Sequence, residues 1–112
     1  MPLTRAAEHP VTAEEPYTVI LARDFEELVP GFIENRRKEL AELRGALAAG
    51  SYQQLGQIGH RMRGIGTSYG FDRVSVLGGQ IEDRAAAADA AGLAARIDEY
   101  ADYLARLKVV YE

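Results

Sequence analysis

The chain has 112 residues, 47% of them hydrophobic and 27% charged, which fits one globular domain around one core. Its net charge of −4 argues against nucleic-acid binding, which calls for a basic face. It has no cysteine, which excludes disulfides and thiolate metal sites, and no apolar run approaches the ~20 residues of a membrane helix.

Residues 1–15 are polar, aperiodic and carry two of the four prolines, so they read as a flexible tail, with His9 a solvated tail residue. The opening MPLTRAAEHPVTAEEP lacks the apolar stretch of a signal peptide. A cytoplasmic, free-standing protein is therefore expected. YTVILA at 17–22 is β-branched and aromatic and reads as an extended segment lying on the domain. One such run makes no sheet, so no real β-structure is expected.

Asp24 and Glu27 form a capping box that predicts a helix start. Phe25, Leu28, Phe32, Ile33, Leu40, Leu43 and Leu47 recur at helical spacing, and Pro30 predicts either a kink or the first turn of a second helix. The charges from Glu34 to Glu39 read as a solvated face, with Arg36 and Arg37 as candidate contacts to an acidic partner. Gly50 ends this helix, and Ser51 with Gln54 opens the next. Gly70 closes that one, and Asp72 caps a third whose inward residues are Val74, Leu77, Ile81 and Ala85. Ala85 to Ala88 is the only low-complexity stretch. A helix opening near Asp89 places Leu93, Ile97, Tyr100, Leu104, Leu107 and Tyr111 on one stripe. The predicted fold is all-α, an up-and-down four-helix bundle over 16–112 behind the flexible N-terminal tail.

The second helix carries the candidate site. With about 100° per residue and His60 at zero, Leu55, Ile58, Met62, Ile65 and Tyr69 fall within roughly 40° of the opposite side. That stripe must face the core, so His60 points to solvent from mid-helix. Its exposed neighbours are Gly56 and Gln57 on one side, Arg63 and Gly64 on the other, with Thr67 a turn further. Gly59 and Gly66 lie toward the flanks, where close helix packing accounts for them. Gly56 and Gly64 sit on the wrong face for that, and glycine there lets a partner approach the backbone. Arg63 can offer charge-assisted hydrogen bonds to phosphate oxygens on the imidazole. Its charge also favours the neutral, nucleophilic ring.

The pattern His60-x-x-Arg63-Gly64, with Gly70 ten residues beyond the histidine, resembles the histidine-containing phosphotransfer (HPt) domain, whose usual core is His-x-x-Lys-Gly. DFEELVPGFIENRRKELAELRGALAAGSYQQLGQIGH resembles the family's preceding helix, turn and entry into the phosphorylated helix, so the likeness covers roughly residues 20–112. It implies a four-helix bundle that takes a phosphoryl group from one receiver-domain aspartate and gives it to another. His60 would be the phosphoacceptor, Arg63 would stand for the family's lysine, and Gly64 would clear space. The arginine keeps the charge and replaces a point charge by a planar fork. In some members a glutamine on the next helix orients the imidazole. The matching position here is Glu82, with Gln80 two residues earlier as the alternative. A carboxylate there can hold the Nδ1 proton and can also repel the phosphoryl group.

The resemblance also implies partners: response-regulator receiver domains, and a hybrid sensor kinase as a further candidate. Mg²⁺ belongs to the receiver, and no cofactor is expected on this chain. Neither a Gly-x-x-x-x-Gly-Lys-Ser/Thr loop nor a kinase glycine loop is present, so a carrier without autokinase activity is expected. A monomer is the expected state, since the bundle is complete in one chain. The rival readings are a docking module in which His60 is never phosphorylated, a metal-binding bundle, and a small enzyme using His60 as general base. A metal bundle needs several inward ligands on facing helices. A general base needs an enclosed cleft and a nucleophile nearby.

Overall fold

The computed structural model describes residues 16–112. The tail read over 1–15, His9 included, lies outside the described residues. In chain order the elements are β1 (Tyr17–Leu21), a 3-10 turn (Arg23–Phe25), α1 (Val29–Ala48), α2 (Tyr52–Ser68), α3 (Asp72–Ala86), α4 (Ala90–Arg106) and β2 (Leu107–Tyr111). The four helices are joined by connections of three residues each, at 49–51, 69–71 and 87–89. Each helix packs on the next, and α4 closes back onto α1. The core between them is Phe32, Leu43, Leu55, Met62, Leu77, Ile81, Leu93, Ile97 and Tyr100, with Val74 and Ala85 buried as their spacing predicts.

The helix ends follow turn chemistry more than capping boxes. Gly50 and Gly70 adopt φ of +68° and +84°, the left-handed region that stops a helix. Asp89 caps α4, its carboxylate accepting from the Gly92 N–H at 2.9 Å. The other expected caps do not form. Neither the 3-10 turn nor α1 has a side-chain cap, so the Asp24–Glu27 box opens no helix. Pro30 instead lies in the first turn of α1, where a missing N–H costs nothing. Ser51 precedes α2 without a cap bond, and Asp72 is the first residue of α3, with Phe71 in the cap position. Leu28, placed on the inward stripe by its spacing, precedes the helix and is exposed.

Two expectations are corrected by the packing. The first concerns strands. The last helix stops at Arg106, and Leu107 turns to φ −69°, ψ 130°. Residues Leu107–Tyr111 then pair in parallel with Tyr17–Leu21, so that Tyr17 faces Leu107 and Leu21 faces Tyr111. Leu107 and Tyr111 are four apart, a spacing that serves a helix face and a strand face alike. Val109 and Val110 decide for the strand, whose residues alternate between half-buried and exposed. The second concerns the charged face of α1. Arg36 and Glu39 are buried, Glu39 to 1% exposure, while Arg37 stays exposed. Arg36 Nε lies 3.1 Å from Glu39 Oε1. The Tyr100 hydroxyl donates to the same oxygen at 2.9 Å, and Arg61 Nε donates to Oε2 at 3.3 Å. A buried carboxylate is tolerated only with partners of this kind. This one ties α1 to α2 and α4.

Candidate functional site: a histidine, a carboxylate and an arginine on two helices in backbone contact

The site begins with the closeness of α2 and α3, the most extensively packed helix pair. A Cβ on Gly59 would stand 2.7 Å from the Gly78 carbonyl oxygen and 2.7 Å from the Glu82 amide. A Cβ on Gly78 would stand 2.7 Å from the Gly59 carbonyl oxygen and 2.6 Å from the Arg63 amide. The two backbones therefore touch, as the reading of Gly59 anticipates, with Gly78 the partner that the sequence alone does not reveal. Gly66 continues the seam beneath Ser75 and Phe71.

This contact sets the side chains. His60 follows Gly59 on α2, and Glu82 lies one turn beyond Gly78 on α3, so their side chains meet over the seam. His60 Nδ1 and Glu82 Oε2 are 3.0 Å apart. Glu82 Oε1 lies 3.2 Å from Arg63 Nη1. One carboxylate thus spans both residues of the His-x-x-Arg pair. Gln80, the alternative orienting residue, is about 200° round the helix from Glu82 and plays no part in this contact. The imidazole is 72% exposed, the guanidinium 55% and the carboxylate 30%. With Nδ1 donating to Glu82, the neutral ring presents the Nε2 lone pair to solvent.

Gly79 shapes the arginine. A Cβ there would lie 3.3 Å from Arg63 Nε, so a bare backbone lets the guanidinium rest against α3. The sequence signal was the Gly78–Gly79 doublet inside an otherwise helical run. It reads as weak helix until α2 is laid against it.

Gly64 has open space where a Cβ would be, and at Gly56 a Cβ would make ordinary contact with Ala85 at 3.7 Å. Gln57 is exposed beside them. Thr67 stands at the far end of the same face, where its amide and hydroxyl both donate to Ser75 Oγ, at 2.7 and 2.8 Å. An open groove of about 540 Å³ runs beside His60, lined by Tyr52, Gly56, Gln57, Glu82, Ala85 and Ala86 among others. Tyr52 and Ala86 were not singled out from the sequence, since neither is distinctive until the two helix ends are brought together. Among the described residues, no three histidines or acids gather as a metal ion would require. Among the same residues, no helix is long and apolar enough to cross a membrane.

The bundle thus presents an outward histidine, held by a carboxylate and followed by an arginine one turn on. The model of the Hpt domain family matches residues 27–109, and the chain belongs to that family. Membership carries a phosphotransfer role in two-component signalling, with receiver domains or kinases as the kind of partner. Neither a curated protein nor a solved structure matches the chain.

Proposed function

We propose that this protein relays a phosphoryl group between receiver-domain aspartates through His60. The observation that carries the reading is the outward imidazole whose Nδ1 is engaged by Glu82 at 3.0 Å, which leaves Nε2 as the exposed nucleophile. In the forward step the Nε2 lone pair forms an N–P bond while the phosphorus–oxygen bond of the aspartyl phosphate breaks. The aspartate leaves as carboxylate, and Nδ1 keeps its proton against Glu82. The reverse step delivers the group to a second receiver. Arg63 supplies charge-assisted hydrogen bonds to the phosphoryl oxygens. Gly56, Gln57, Gly64 and Thr67 form the face a receiver covers. Mg²⁺ is supplied by the receiver, since phosphoryl transfer needs positioning and charge more than further groups on this chain. A cytoplasmic monomer belongs to the same reading.

The test is transfer from a panel of phosphorylated receiver domains to the wild type and to His60→Gln. Acid-labile, base-stable label on the wild type alone is expected. The variant should keep its circular dichroism and melting temperature, because the imidazole is outside the core. Binding to a receiver without any label would instead support a docking module.

A further inference from the structure

We propose that Glu82 sets how readily His60 gives up its phosphoryl group, by holding Arg63 as its own counter-ion in the bare state and competing with the phosphoryl oxygens for it in the loaded state. The inference rests on the phosphoacceptor reading of His60 and concerns the charge of its neighbour.

The bare site is electrically balanced. In its neutral Nδ1–H tautomer His60 donates a hydrogen bond to Glu82 and keeps its proton, and the Glu82 carboxylate and Arg63 guanidinium stand 3.2 Å apart with opposite charges. The other residues that line the groove, Tyr52, Gln53, Gly56, Gln57, Ala85 and Ala86, carry no charge. Loading Nε2 brings in two negative charges on the phosphoryl oxygens, offset by one positive charge at most on the ring if Nδ1 keeps its proton. The site therefore gains net negative charge in either protonation state. The Glu82 carboxylate repels the phosphoryl oxygens, and a proton kept on Nδ1 offsets only part of that repulsion.

Arg63 is placed to respond. Its guanidinium is half-exposed and rests against the bare backbone of Gly79, with no side chain there to fix it in place. It meets Glu82 through Nη1, and a planar fork has further donors to offer the phosphoryl oxygens. To turn fully toward the phosphoryl group it must leave the carboxylate. A neutral amide at position 82 would accept the same Nδ1–H bond, with neither the repulsion nor the hold on Arg63. The carboxylate thus keeps the orienting bond and makes the loaded state easier to discharge.

The experiment measures the equilibrium of phosphoryl transfer between this protein and the receiver domain that labels it fastest, the receiver having been charged with acetyl phosphate. Wild type, Glu82→Gln and Glu82→Asp are compared at low and high salt. Glu82→Gln should shift the equilibrium toward phosphohistidine by about three- to tenfold at low ionic strength, and by less as salt rises. Glu82→Asp, which keeps the charge, should stay near the wild type. Imidazole nitrogen chemical shifts in Glu82→Gln should still report a proton on Nδ1, which separates the effect of charge from that of orientation. An unchanged equilibrium in Glu82→Gln overturns the proposal while leaving His60 as phosphoacceptor. Equal shifts in Glu82→Gln and Glu82→Asp overturn it in favour of lost geometry. Absence of label on the wild type from every receiver overturns the relay reading first, and this inference with it.

Discussion

Gly64 sits one turn from His60 with open space where its Cβ would be. A side chain there meets nothing in the folded protein, so only a docked partner would notice it. Gly64→Gln should therefore slow transfer from a receiver while leaving stability unchanged or raising it by up to about 1 kcal/mol, the helix cost of glycine removed. Stopped-flow transfer and a thermal melt check the two halves, and an unaltered transfer rate would remove the docking argument for this glycine. At this scale the site was largely legible. The period of Leu55, Ile58 and Met62 turned His60 outward without any knowledge of the fold. What stayed ambiguous was the choice between Glu82 and Gln80, because it depends on the rotation of α3 against α2. Gly78 and Gly79 set that rotation, and their importance is defined by the atoms of another helix.

At the scale of elements, the backbone seam makes opposite predictions for two glycines on one helix. In Gly59→Ala the new Cβ must displace Gly78 and Glu82 backbone atoms that stand at 2.7 Å. Overpacking of this kind costs about 1–3 kcal/mol, which outweighs the helix-propensity gain of about 1 kcal/mol. The variant should also lose the His60–Glu82 contact as the helices part. In Gly56→Ala the Cβ reaches only Ala85 at an ordinary 3.7 Å, so the propensity gain should stand alone. Urea midpoints that move in the same direction for both would mean the seam is looser than described. The α3–α4 connection offers a third case. Ala88 has φ +52°, a left-handed conformation that a side chain disfavours by about 1–2 kcal/mol. Ala88→Gly should raise stability by about 0.5–1 kcal/mol, read in the same denaturation series. The alanine run at 85–88 hid this position, since a good helix former reads as helix whatever turn it occupies.

For the molecule as a whole, the buried Glu39 is the junction between helices far apart in sequence. Burial first, and then the negative charge of Glu39, push the Tyr100 phenol above its ordinary value. A raised value means that the folded state keeps the Tyr100 proton after the unfolded chain has lost it. The associated stability is whole below about pH 10 and falls as pH rises further, by about 1.4 kcal/mol per pH unit. Tyr100→Phe should flatten that alkaline limb, and it should cost about 1–3 kcal/mol at neutral pH by leaving a buried carboxylate short of a donor. Urea midpoints from pH 7 to 11 test this, and parallel curves for the two proteins would contradict it. The sequence could not disclose the network, because Arg36 and Glu39 look like any solvated helix pair until Arg61 and Tyr100 arrive from α2 and α4. The strand pair was hidden for a similar reason. Its halves lie at 17–21 and 107–111; the first reads as extended on its own, while Leu107 and Tyr111 continue the last helix's stripe, so nothing in the sequence pairs the two.

That strand pair has a mechanical consequence. β1 and β2 run parallel, one before the bundle and one after it. Tension applied between the segment before Tyr17 and the segment beyond Tyr111 draws the strands in opposite directions along their shared axis. The ladder is then loaded in shear, its evenly spaced bonds sharing the force instead of peeling one at a time. Until that lap joint slips, the four helices and the histidine they carry bear none of the pull.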